Sequence, residues 1–194
     1  MKKDIILAGV GGQGILSIAT TIGMAALHTG LHLKQAEVHG MSQRGGDVSS
    51  NLRIADHAIA SDLIPFGKAD LIISVEPMES LRYLPFLSPD GWLITNTKPF
   101  VNIPNYPEMV ELMAEIESLE HHIALDADEI AKKLGSVRSA NMVILGAASP
   151  FIEIDYSELE DAIRSIFRNK GQDMIQLNLA ALQAGFDFAR AHLN

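Results

Sequence analysis

The sequence predicts an α/β fold: a three-layer sandwich in which a mostly parallel, Rossmann-like sheet carries helices on both faces. Three observations predict it. Short apolar runs, such as Ile5 to Ala8 and Leu71 to Val75, read as strands buried on both sides. Segments with apolar residues at helical spacing lie between several of these runs. No linker, low-complexity tract or internal repeat divides the 194 residues, so one domain is expected over 1–194.

The elements follow in order. Asp4 to Gly9 is an apolar run ending in glycine and reads as the first strand. Ile15 to Leu27 places Ile15, Ile18, Ala19, Ile22, Ala25 and Ala26 on one helical face, and Gly30 is a suitable C-cap. Leu31 to Val38 is the second strand. In Val48 to Ile54, Val48, Ser50, Leu52 and Ile54 share one face, and Ser49, Asn51 and Arg53 share the other. Leu71 to Val75 is a strand, Glu79 to Leu87 a helix, and Gly91 to Asn96 a strand. Pro99, Pro104 and Pro107 make Lys98 to Pro107 a loop, and Pro107 suits the first turn of a helix reaching Leu119. Ile123 to Asp126 reads as a strand, Ala127 to Leu134 as a helix, and Asn141 to Ala148 as a helix rich in small residues. Asp155 with Glu158 resembles a capping box opening Tyr156 to Phe167. Gly171 then precedes a long amphipathic helix, Met174 to His192.

Composition excludes several classes. There are 24 acidic and 15 basic residues, a net charge of −9, which argues against a nucleic-acid groove. Cysteine is absent, so no disulfide, thiol nucleophile, cysteine-ligated zinc or iron–sulfur cluster can be built from this chain. After Met1-Lys2-Lys3-Asp4 the apolar run is too short for a signal segment or a membrane span, so a cytoplasmic location with no membrane contact is expected.

Gly9-Val10-Gly11-Gly12-Gln13-Gly14 matches the G-x-G-x-x-G pattern, with a strand before it and a helix after it. Glycine permits the tight turn and leaves room for a phosphate. The free N–H groups and the dipole of the following helix then favour the anion. A glycine-rich turn that binds nothing has the same pattern. A stand-alone NAD(P)-dependent oxidoreductase also stays open, because Glu37 falls near the position, about 20 residues on, where a ribose-binding acid is wanted. Against it stand Gln13 inside the loop, a second polar loop just after Glu37, and the lack of a hydride-transfer set. A non-catalytic nucleotide-binding module is a further alternative.

That second loop is the most unusual stretch. Between Glu37 and Ile54 it includes Ser42, Gln43, Arg44, Gly45 and Gly46, and Arg44 suits a phosphate or carboxylate through its bidentate fork. Ser49, Asn51 and Arg53 continue the polarity along one strand face. They need polar partners there, from a binding or subunit-contact surface or from a satisfied loop. His39 is the one histidine with a candidate role, since His121 and His122 suit the surface. Glu76 and Glu79 suit a helix start. The methionines suit packing, and Ser42 lies in no nucleophile elbow. No catalytic residue is assigned.

The glycine loop followed by Glu37 to Ile54, with Asn141 to Ala147 later, resembles the gamma domain of 2-oxoacid:ferredoxin oxidoreductases. Within that family the likeness is greatest to the indolepyruvate:ferredoxin branch. It covers nearly the whole chain, and Asp47 departs from it where a small residue is expected. The resemblance implies a small subunit, inactive alone, that supports coenzyme A-dependent oxidative decarboxylation of an aryl pyruvate to acyl-CoA, carbon dioxide and reduced ferredoxin. It implies that thiamine diphosphate and iron–sulfur clusters belong to a large partner subunit. By the same analogy, coenzyme A phosphates are expected at Gly11 to Gly14, with Arg44 nearby.

Overall fold

The structure, a computed structural model, describes residues 1–40 and 45–193. Strand β1 (Lys2–Val10) is buried from Asp4 onward, as its central position in a covered sheet requires. It pairs in parallel with β4 (Ala69–Ser74) and antiparallel with β3 (Asp47–Ala55). With β2 (His32–His39), β5 (Leu87–Asn96) and β6 (His122–Leu125), these form one six-stranded sheet in the order β2-β3-β1-β4-β5-β6. The sheet is mostly parallel, with β3 running against both its neighbours. Residues 40–46 between β2 and β3 are too few for a parallel crossover, which takes a dozen or more. The chain therefore folds back on itself and places β3 between β2 and β1.

Alternation along the strands divides the core. Ile5, Leu7, Leu52, Ile54, Leu71 and Ile73 pack toward α1 (Ile15–His28) and α5 (Ala140–Ala148). Ile6, Ile72 and Leu93 pack on the other face with Ile116 of α3 (Met109–Glu117), beside α2 (Pro77–Arg82). On the first face α6 (Tyr156–Phe167) lies against α1, α7 (Gln172–Leu193) covers α5, and α4 (Ala127–Lys133) packs beside them. The expected three-layer α/β sandwich is therefore present. Among the described residues no helix is long and apolar enough to cross a membrane.

The polar face of β3 is occupied from within. Arg53 donates from Nε and Nη2 to the buried Asp4 carboxylate at 2.7 and 2.9 Å, and from Nη1 to the carbonyls of Ser61 and Leu63. The Asn51 carboxamide oxygen accepts the Ile64 N–H at 3.0 Å. Arg53 and Asn51 on this face thus have partners within the chain.

Several boundaries move for local reasons. The expected helix from Glu79 to Leu87 is α2 plus a separate 3₁₀ turn at Leu84–Phe86, because Pro85 supplies no N–H to continue α2. The released chain enters β5 four residues early, at Leu87. Asp155 stands before α6 without any side-chain cap hydrogen bond, so the expected capping box does not form. Gly30, at φ 75°, sits just past α1 as expected of a helix terminator.

Candidate functional site

Strands β1 and β4 are parallel neighbours, yet the helices that follow them, α1 and α2, cover opposite faces of the sheet. Such a switch point opens a crevice at the C-terminal ends of the strands. The glycine loop leaves β1 there. Gly9 is packed too closely for any side chain: a Cβ would lie 2.4 Å from Val75 Cγ2. The Gly11 N–H donates to the Gly46 carbonyl at 2.9 Å, so the glycine loop and the second polar segment are joined directly. Gln13 turns inward: its Oε1 accepts the Val10 N–H at 2.8 Å and its Nε2 reaches the Val75 carbonyl at 3.5 Å. It braces the turn while also lining the crevice.

Gly12 and Gly14 have left-handed φ values of 102° and 84°, which glycine adopts without strain. Gly14 is the N-cap of α1 and offers no side chain, so the first-turn N–H groups of that helix lack a side-chain acceptor. Both glycines line a cavity of about 400 Å³, together with Asn96, Arg138 and Asn141. Asn141 Nδ2 donates to the Gly14 carbonyl at 3.1 Å and pins the loop to the start of α5. Asn96 sits buried at the end of β5 and holds the Asp128 carboxylate at 2.7 Å while accepting the Ala127 N–H. Asp128 is thereby engaged. Arg138 makes no ion pair among the described residues. Gly11, Gly12 and Gly14 also border a second cavity, about 320 Å³, beside His39 and Val48.

A loop from the far side closes over the hairpin. Glu76, fully buried at the start of α2, accepts the Glu79 N–H at 2.9 Å, the Phe100 N–H at 3.1 Å and the Tyr106 hydroxyl. Burial, followed by the adjacent Glu76 carboxylate, pushes the Tyr106 hydroxyl well above its ordinary pKa. The anchored loop extends Asn102 Nδ2 to the Gly45 carbonyl at 2.6 Å, where Gly45 is left-handed at φ 79°. Both acidic residues at this helix start thus serve the fold: Glu76 caps it, and Glu79 pairs with Arg82 at 2.7 Å. Asp47 lies in register with Val10, and its carboxylate would meet a Cβ placed on Gly40 at 2.7 Å.

Glu37 stands apart. It lies on the edge strand β2, 2.5 Å from the His39 ring, with β3 between it and β1. In a dinucleotide fold the acid-bearing second strand adjoins the first. Here one interposed strand moves it to about 10 Å from β1 in the plane of the sheet. Ser42, Gln43 and Arg44 lie outside the described residues. Asn96, Arg138 and Asn141 escape sequence reading because nothing local marks them. The one available signal is Asn141 at the polar mouth of an otherwise apolar helix.

A profile described as "Pyruvate ferredoxin/flavodoxin oxidoreductase" matches residues 4–188. The "Indolepyruvate oxidoreductase subunit IorB" of Archaeoglobus fulgidus is 37% identical, over 97% of this chain and 96% of that protein. The gamma subunit of a keto/oxoacid ferredoxin oxidoreductase from Geobacter sulfurreducens superposes with a TM-score of 0.73 at 23% identity, over 97% and 99% of the two chains. The 2-oxoglutarate:ferredoxin oxidoreductase of Magnetococcus marinus, solved with 2-oxoglutarate, coenzyme A and succinyl-CoA bound, gives a TM-score of 0.78 at 23% identity. That match covers 98% of this chain, which spans 31% of the larger protein. With a glycine loop at the switch point of a matching fold and a family profile running almost end to end, the chain belongs to the pyruvate ferredoxin/flavodoxin oxidoreductase family.

Proposed function

We propose that this chain is the small, single-domain gamma-type subunit of a cytoplasmic indolepyruvate:ferredoxin oxidoreductase, and that its glycine loop receives the phosphates of coenzyme A. The complex would convert an aryl pyruvate and coenzyme A to acyl-CoA and carbon dioxide, passing two electrons to ferredoxin. The observation that carries the phosphate assignment is the uncapped start of α1, opening at Gly12 and Gly14 onto the crevice. The name of the 37% identical relative supports the substrate, and the coenzyme A in the Magnetococcus structure supports the ligand class. Of the sequence-derived residues, Gly12, Gln13 and Gly14 border the crevice. Gly9, Gly11, Gln13, Gly45 and Gly46 hold the loop and hairpin in place. Ser42, Gln43 and Arg44 remain part of the proposed site, with the Arg44 guanidinium as a phosphate partner.

The residues of this chain do not fit an iron–sulfur cluster, because there is no thiolate among the 194 residues to ligate one. A large partner subunit would supply the clusters and the thiamine diphosphate. The work of this chain is then binding and positioning, with no acid–base or nucleophilic group assigned to it.

Titration of the purified complex with coenzyme A tests the reading. Gly12→Val forces a side chain onto a φ of 102° at the crevice and is expected to weaken binding about tenfold or more. An unchanged affinity, with the complex intact, would overturn the phosphate assignment.

A further inference from the structure

Glu76 does more than cap α2. Its Oε2 accepts the Glu79 N–H at 2.9 Å, which leaves Oε1 for the loop 97–108 that joins β5 to α3. That one oxygen accepts both the Phe100 N–H, at 3.1 Å, and the Tyr106 hydroxyl, so it holds the loop at two points. Asn102 lies between these points, and its Nδ2 donates to the Gly45 carbonyl at 2.6 Å. The next carbonyl along, that of Gly46, accepts the Gly11 N–H at 2.9 Å. A fully buried carboxylate is thereby linked, through one loop and one glycine pair, to the glycine loop.

Apolar packing does little to fix the loop between its anchors. Phe100, Val101 and Ile103, which flank Asn102, are all exposed. A segment with few buried apolar contacts takes its position from its polar ones. Gly45 and Gly46 have no side chains to anchor their own turn, so its place beside the glycine loop depends on bonds to its carbonyls. We propose that Asn102 and Tyr106 are positioning residues for ligand binding at the glycine loop: Tyr106 seats the loop 97–108 on Glu76, and Asn102 passes that placement through Gly45 and Gly46 to Gly11. The inference rests on the coenzyme A reading and deepens it, because it names side chains that hold the binding loop in register without touching the ligand.

The test measures coenzyme A affinity by calorimetry, and kcat and the KM for indolepyruvate by steady-state assay, on the intact purified complex. Asn102→Asp keeps the shape of the side chain and replaces its N–H donor with an oxygen facing the Gly45 carbonyl. Tyr106→Phe removes only the hydroxyl on Glu76. The double variant, Gly12→Val and the control Val101→Ala, at an exposed position of the same loop, complete the set. Each single loop variant is expected to weaken coenzyme A about fivefold, the effect of one lost hydrogen bond. The double variant is expected to weaken it by less than the product of the two, because both act through one loop. The KM for indolepyruvate, kcat at saturating coenzyme A, and every property of Val101→Ala are expected to stay within about twofold of wild type. If Asn102→Asp leaves coenzyme A affinity unchanged while Gly12→Val weakens it, the positioning role is overturned and the coenzyme A reading stands. If the loop variants raise the KM for indolepyruvate as much as they weaken coenzyme A, or their effects multiply, the loop serves general stability and the positioning role is overturned. If the loop variants weaken coenzyme A alone while Gly12→Val does not, the glycine-loop reading fails and the role of Asn102 at Gly45 stands.

Discussion

At the scale of single residues, polar side chains tie distant parts of the chain together. Asn141 is one. Replacing it by alanine removes the bond to the Gly14 carbonyl, and the melting curve is expected to report a loss of about 1 kcal/mol. Coenzyme A binding should weaken in the same variant, because the helix start is no longer held. Asp4 is another. Burial pushes its carboxyl up, but hydrogen bonds from Arg53 and Lys2 outweigh burial and hold it below the ordinary carboxylate value. The unfolded chain therefore takes up this proton more readily than the folded one. The pair stabilises fully above the unfolded value of about 3.9, and that contribution is lost as pH falls through the lower folded value. Urea denaturation across this range should show a falling acid limb. Asp4→Asn should flatten it while costing about 3 kcal/mol near neutral pH. The glycine pattern was legible in the sequence, since its φ demands are local. Asn141 and Arg138 were not, because their roles depend on chain brought in from more than a hundred residues away.

At the scale of elements, two junctions matter most. The α5–α7 crossing is close because each helix presents a glycine to the backbone of the other. A Cβ on Gly146 would lie 1.9 Å from the Leu182 carbonyl oxygen, and one on Gly185 would lie 1.9 Å from that of Val143. Backbone cannot yield as a side chain can, so Gly185→Ala is expected to destabilise by about 3 kcal/mol, read as a shift of the denaturation midpoint at constant slope. The other junction is the β2–β3 hairpin. Its strands were readable in the sequence, and the short stretch between them is too brief for a parallel crossover. Its place between β2 and β1 was not readable, because strand order is decided by packing across the sheet. That order separates Glu37 from the glycine loop and removes the ribose-binding arrangement that residue spacing alone had left open.

At the scale of the whole molecule, one end of the sheet gathers the glycine loop, the hairpin and the Glu76-anchored loop. Sequence-level reading reached the fold class, because alternation of strands and helices leaves few arrangements. It also reached the family, whose long polar segment is distinctive. The crevice stayed hidden, since its walls come from the glycine loop, the end of β5, the start of α4 and the turn before α5. A stand-alone dehydrogenase of this fold would be stabilised by nicotinamide dinucleotides. Here neither NAD nor NADP is expected to raise the melting temperature of the isolated chain by more than about 1 °C, against several degrees for a ligand at a hundred times its dissociation constant. The most direct test of the account is purification of the native chain under anaerobic conditions, followed by assay with indolepyruvate, coenzyme A and ferredoxin. The account predicts recovery with a larger, thiamine- and iron–sulfur-containing subunit and coenzyme A-dependent reduction of ferredoxin. Recovery of the chain alone with nicotinamide-dependent dehydrogenase activity would contradict it.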